Sequence, residues 1–393
     1  MEDNKKTCIV HFLPAKSGDC FVLEFDNKQC ILIDCGYSNT YKEELKPLLQ
    51  KLSSDGCRIA LMIVTHIDAD HISGAIDFIE DNGDADHPKI IPVDEIWHNG
   101  IANTILNSEL FLQHKTEDVP KDIVEKWKRI RAIIKRQLPG EPGEISALQS
   151  KQFERLCVHN NYKLNARIKG CCVENNACYS IGNCEVRVLS PGQDEIDNFR
   201  KMLDKQLKKE FGADYLWNDS EEFLELLKLI SLYYGEDIDG TFTRKPIAAG
   251  KVAIQDWLGT SNMNEMNEIN RASIVVDIRY GNLKLLFMGD SESELWSKNI
   301  DSHYDLIKVS HHGSTKPNLA WMENTIATKL LISTNGGKHG HPEDDFLARV
   351  MMKNFSELYF NYNIERKREI LEAQTEYQFK AEFEKREIRL EEM

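Results

Sequence analysis

No apolar run in this chain is long enough to span a bilayer as a helix, which excludes an integral helical membrane protein. The opening Met1-Glu2-Asp3-Asn4-Lys5-Lys6 carries no apolar export segment, so a soluble, cytoplasmic protein with no membrane partner is expected. Basic residues are outnumbered by acidic ones, 49 to 64. A formal net charge of −15 disfavours nucleic acid or anionic lipid over the whole surface and leaves only a local site for a phosphate. Paired C-x-x-C knuckles are missing as well: the ten cysteines form one cluster, Cys171, Cys172, Cys178 and Cys184, whose spacing suits reduced thiols better than a structural zinc. There is no internal repeat and no low-complexity tract.

At 393 residues and 41% hydrophobic content, the chain can bury one large layered α/β core with insertions. Short apolar stretches at Thr7 to Leu13, Cys20 to Phe25, Gln29 to Ile33, Ile59 to Val64 and Val93 to Trp97 read as strands, and Glu43 to Leu52 reads as a helix. From about 101 to 180 the pattern turns helical and polar, with helices expected over Lys121 to Gln137 and Ser146 to Val158. A second helical insertion with a polar loop is expected over 194–262, and the loop-like run on to Asn270 is either a mobile flap or a surface loop. Strands return at Cys184 to Leu189, Ala272 to Tyr280, Leu283 to Met288, Leu306 to Val309 and Lys329 to Ser333. Alternation at Tyr377, Phe379, Ala381 and Phe383, then Ile388 and Leu390, predicts C-terminal strands within 360–393, a hairpin being preferred to a helix.

The densest chemistry follows the Ile59 to Val64 strand. T-H-I-D-A-D-H-I-S-G places His66, Asp68, Asp70 and His71, four metal-ligating side chains, within six residues. Asp and His also cap helices and form turns, but capping needs one short polar side chain, not four. Ile72, Ala75, Ile76 and Ile79 follow at helical spacing, which puts Asp70 and His71 in a first helical turn and His66 and Asp68 in the loop before it. Clustered carboxylates repel one another without a cation, and nitrogen with oxygen donors suits divalent metals. Other strands end the same way: Asp34 after one, Asp290 in L-F-M-G-D, His311-His312 in V-S-H-H-G-S, and His341 in G-K-H-G-H-P.

Together these motifs resemble a metallo-β-lactamase-fold hydrolase, in the branch containing the hydrolase domain of the DNA-uptake protein ComEC and the choline-binding phosphorylcholine esterases. The resemblance covers residues 7–36, 59–100, 184–192 and 270–345, and implies a single α/β domain over 1–393, an αββα sandwich with helical insertions. It also implies two divalent ions, zinc or manganese with iron as a further candidate, whose shared hydroxide attacks a phosphoester; a phosphodiesterase or nuclease is the expected activity. His66, Asp68, Asp70, His71, Asp290, His311 and His312 are the implied ligands, with His312 favoured over His311. Asp70, His312, His341 and Lys308 are assigned to catalysis; Asp19, Asp34, His98, Asn99, Asn270 and Ser314 either support the ligands or face substrate.

Two departures stand out. The usual third histidine, in a G-H-T-P-G-H type loop, is absent, and either Asn270 takes its place or His98 approaches from elsewhere. Asp68 stands where a second histidine falls, and a third carboxylate beside Asp70 and Asp290 favours Mn²⁺ or Fe²⁺ over a histidine-rich zinc site. The alternative is a regulatory or interaction protein, in the setting of a bacterial defence system, with a structural or degenerate metal site and a protein partner docked on the insertions.

Overall fold

The computed structural model describes residues 5–100, 146–168, 172–175, 177–211, 253–261, 263–337, 340–353 and 355–392, together with Thr104, Glu125 and Arg129. Two mixed sheets stack face to face. The first runs, in spatial order, β14 (Glu387–Glu391), β1 (Thr7–Phe12), β2 (Cys20–Phe25), β3 (Gln29–Cys35), β4 (Arg58–Val64) and β5 (Ile96–His98). The second runs β13 (Lys380–Glu382), β12 (Glu357–Phe360), β11 (Ile326–Ile332), β10 (His303–Lys308), β9 (Leu283–Phe287), β8 (Val275–Tyr280), β7 (Cys184–Ser190) and β6 (Cys178–Ile181). Helices Lys46–Ser54, Ala69–Asn82 and Ser146–His159 cover the outer face of the first sheet, and Thr315–Asn324, Asp344–Met352 and Lys367–Tyr377 cover the second. This is the αββα sandwich expected from the sequence.

β4 shows why the layers form. Its Leu61 and Ile63 enter the layer between the sheets beside Phe287, Leu306 and Leu331, while Met62 and Val64 meet the helices on the other side. A strand buried on both faces needs a continuous apolar run, which Ile59 to Val64 supplies. Truncating Leu61 to alanine should cost about 2–5 kcal/mol, in transfer energy plus cavity.

Connectivity then places the site. β3, β4 and β5 are mutually parallel, as are β9 to β13 through β10, β11 and β12, and helices cross between them. Parallel strands with crossovers bring all their carboxyl ends to one side of a sheet. Asp34, Thr65, Asp290, Lys308 and Ser333 each lie at such an end.

Three expectations are corrected. The terminal strands do not form a hairpin: β13 pairs with β12 and β14 with β1, in different sheets, because Ala381 packs on the outer core of one and Ile388 on the inter-sheet core. A helix, Lys367–Tyr377, precedes them where none was expected. The end of the first insertion is sheet, with β6 pairing β7. Ser146–His159 is helical as read; the Lys121 to Gln137 helix lies outside the described residues apart from Glu125 and Arg129, as do 212–252 of the second insertion. The 263–265 part of the polar loop is exposed, while Met266, Ile269 and Asn270 pack down and are buried. Cys184 lies in the inter-sheet core and Cys178 is exposed, so these thiols do not converge.

Candidate metal centre

Asp34 closes β3 with a left-handed backbone, φ +54°, and is fully buried. That conformation costs a non-glycine residue about 1 kcal/mol or more, and it turns the carboxylate towards β4. There Oδ1 accepts from the Thr65 amide at 2.8 Å, and Oδ2 accepts from the Thr65 hydroxyl at 2.8 Å and from His71 Nδ1 at 2.8 Å. The Thr65 hydroxyl has one proton and gives it to Asp34, so its oxygen accepts from His66 Nδ1, 3.0 Å away. One carboxylate thereby fixes the tautomers of two imidazoles. Both Nε2 atoms are left buried and without a hydrogen-bond partner.

The helix Ala69–Asn82 carries Asp70 and His71 in its first turn, and its N-cap position is Asp68. Asp68 makes no side-chain cap bond; its Oδ2 lies 3.4 Å from His66 Nε2 instead. The capping explanation for this aspartate therefore fails. Close packing seats the helix end: a Cβ on Gly74 would sit 2.1 Å from Cys35 O, and one on Gly18 would sit 1.9 Å from Asp70 O.

The second sheet brings the other half. Ser310–Gly313 turns tightly after β10, with His311 at φ +44° and His312 at φ +55°, two consecutive left-handed residues. The turn lets both imidazoles face the same carboxylate, which an extended strand would forbid. Asp290 Oδ2 lies 3.5 Å from His312 Nε2, 3.9 Å from His311 Nε2, 3.6 Å from His71 Nε2 and 3.8 Å from His66 Nε2. His312 Nδ1 donates to the Ser333 carbonyl at 2.8 Å, which leaves its Nε2 to face Asp290.

Charge in this cluster is lopsided. Asp19, Asp34, Asp68, Asp70 and Asp290 meet one buried ammonium, Lys308, which pairs with Asp19, donates to Gly289 O at 3.1 Å and lies 3.9 Å from Asp290 Oδ1. Burial works against the Asp290 charge, but His312, His71 and His311 hold its carboxyl well below the usual range. Burial pulls the His71 imidazole down, and Asp34 and Asp290 more than reverse this, raising it; Asp290 and Asp19 raise His312 in the same way. These shifts mean that the pocket is short of positive charge, which protons on imidazole or a bound cation can supply. Oδ1 of Asp19 and of Asp290 also lacks a hydrogen-bond partner, so ligand-type atoms of four buried residues converge unsatisfied, a donor set that fits divalent metal.

Not every expected residue joins them. His98 is fully buried with Nδ1 3.3 Å from Val64 O and Nε2 3.0 Å from Ser150 Oγ; burial pushes its pKa down to about 4, and neither nitrogen is available as the missing third ligand. Asn99 clasps the backbone of Val173 through both amide atoms at 2.7 Å. Ser314 donates to Glu343 at 3.2 Å and serves the start of the next helix. Lys308, expected to meet a leaving oxygen, is 1% exposed and engaged by Asp19. Asn270 lies in the short helix Glu268–Arg271 before β8, its Oδ1 buried without a partner; four residues on, the Ile274 amide donates to Thr65 O at 2.9 Å. His341 is 5% exposed, its ring 5.0 Å from that of His311. Three supporting residues went unread: Thr65, Ser333 and Asn361, whose amide bonds Leu13 O and Ser333 Oγ. Only Thr65, a hydroxyl directly before the first histidine, left a trace in the sequence.

Residues 13–131 match the sequence model of the Metallo-beta-lactamase superfamily, a segment that contains Asp34 and the whole His66 to His71 loop. This match over part of the chain agrees with the αββα sandwich described above. Among solved structures with this likeness are the metallo-beta-lactamase fold protein YhfI from Bacillus subtilis, at 9% identity over 99% of this chain and 100% of that one with a TM-score of 0.40. Another is Zn²⁺-bound PqqB from Methylobacterium extorquens, at 10% identity over 98% of this chain and 99% of that one, also at 0.40. No curated protein matches the chain. The metallo-β-lactamase fold is associated with divalent metals and includes hydrolases, and among the described residues no helix is long and apolar enough to cross a membrane.

Proposed function

We propose that the chain is a metal-dependent phosphodiesterase. The observation that carries this is the set of three imidazoles, His66, His71 and His312, each with Nδ1 held by the protein and Nε2 turned to Asp290. His66, Asp68, Asp70, His71, His312 and Asp290 would hold the ions. When bound, divalent ions supply Lewis acidity that favours ionised water and offsets charge on phosphoryl oxygens.

The chain's own residues prepare the site. Asp34 holds two imidazoles in their ligating tautomers, and Lys308 keeps Asp19 and Asp290 from repelling each other. We take His341, buried beside His311, as the proton donor to the departing alkoxide; the bond from phosphorus to that oxygen breaks as one to the water oxygen forms. The resemblance to the phosphoesterase branch supports phosphorus over carbon at the reacting centre. Elemental analysis of purified protein, paired with hydrolysis of bis(4-nitrophenyl) phosphate in Mn²⁺, tests this. About two ions per chain and metal-dependent turnover are expected; one closed ion or none, without turnover, returns the protein to the regulatory class.

A further inference from the structure

Two hydroxyls outside the sequence motifs meet beside Asp70. Ser17 Oγ and Tyr37 Oη lie 2.9 Å apart, the serine buried and the phenol half-buried. The backbone next to each packs on the first turns of the helix Ala69–Asn82. A Cβ on Gly18, next to Ser17, would strike Asp70 O, to which the Asp19 amide donates at 3.3 Å. Gly36, next to Tyr37, accepts from the Gly74 amide at 2.8 Å, one helical turn beyond Asp70 and on the same face. Burial, and then the Asp70 carboxylate, raise the phenol to about 12, so it keeps its proton at neutral pH.

The loop that carries Ser17 is pinned. Lys16 has a left-handed backbone, φ +61°; its amide donates to the Tyr362 hydroxyl at 2.9 Å and its carbonyl accepts from the Asn335 amide at 2.9 Å, while Ser333 Oγ donates to Gly18 O at 2.9 Å. Such strain persists where surrounding contacts over-determine it, as these do. Two hydroxyls carry two protons and their mutual bond uses one; among the described residues neither has another hydrogen-bond partner, so one proton is left to give. A phenol is the stronger donor of the two, and a hydroxyl donating to its oxygen polarises it further.

We propose that Ser17 donates to Tyr37 and that Tyr37 gives its own hydrogen bond to a nonbridging phosphoryl oxygen of substrate held at the Asp70 side of the centre, where negative charge grows as the ester is attacked. This rests on the phosphodiesterase reading. Tyr37→Phe removes one oxygen and keeps the ring: kcat for bis(4-nitrophenyl) phosphate in Mn²⁺ should fall by roughly 10²-fold, Ser17→Ala should lose less, and chelator competition should show metal affinity as in wild type for both. Unchanged turnover in Tyr37→Phe, a larger loss in Ser17→Ala than in Tyr37→Phe, or a metal affinity that falls with turnover overturns the proposal.

Calorimetry of metal-loaded protein with methylphosphonate needs no turnover: Tyr37→Phe should bind it roughly tenfold more weakly than wild type, and equal affinities, or no binding to wild type, overturn the proposal. Should Tyr37→Phe fail to fold, Ser17→Ala decides, with weaker phosphonate binding expected and an unchanged affinity overturning the proposal. Weaker binding by the variants of a protein that cleaves no phosphodiester overturns the phosphodiesterase reading and leaves the hydroxyl pair assigned to an anionic oxygen.

Discussion

His66 and His98 follow neighbouring parallel strands, β4 and β5, and both rings are buried, yet they have opposite fates. His98 finds a partner for each nitrogen, Val64 O on one side and Ser150 Oγ on the other, and becomes part of the core. His66 finds one partner, Thr65, and its other nitrogen faces carboxylates. Burial therefore does not separate a candidate ligand from a packing residue. The number of ring nitrogens that the protein itself satisfies does.

The strongest challenge to that contrast is to remove a ring from each class. His71→Ala should lower phosphodiester turnover by roughly 10³-fold or more, as expected where a group essential to the centre is lost, while His98→Asn should stay within a few-fold of wild type. Equal losses in the two variants would abolish the distinction. Next in size is Asp34→Ala, which frees both His71 and Thr65. Chelator competition should show metal affinity reduced by about 10–100-fold with circular dichroism unchanged, the range for a residue that orients a ligand.

His98 should reveal itself through pH instead. Its folded pKa, near 4, lies below that of an unfolded histidine, about 6.5, so the unfolded chain takes up the proton first and stability falls with pH through that window. Between pH 7 and pH 5 the loss should be about 2 kcal/mol in urea unfolding, and His98→Asn should flatten that part of the profile. A variant as acid-sensitive as wild type would show that another group is responsible. The mildest change, Thr65→Val, removes the hydroxyl between Asp34 and His66 and keeps the shape. About a tenfold weakening of metal binding is expected, with Thr65→Ser restoring it; failure of serine to rescue would mean that packing, not the hydrogen bond, matters.

Most of the layer order was legible because strands buried on both faces leave unbroken apolar runs, as at Ile59 to Val64. The terminal hairpin was misread because alternation reports that a strand has one buried face, not which sheet covers it. The convergence of His66 and His71 was legible because they are close in sequence. His98, Asn99 and Ser314 looked equally suited to the site, since each follows a strand or a turn rich in polar residues; their partners, Ser150, Val173 and Glu343, lie far along the chain.

The sequence by itself determined the chemistry on offer: imidazoles and carboxylates at strand ends, in a chain with too little positive charge to neutralise them. Only the tertiary structure decided which nitrogen of each ring faces the carboxylates and that two adjacent histidines turn to the same one. A residue's type fixes what it can donate or accept, but its tautomer, its strain and its neighbours follow from contacts between strands and helices that the linear order does not contain.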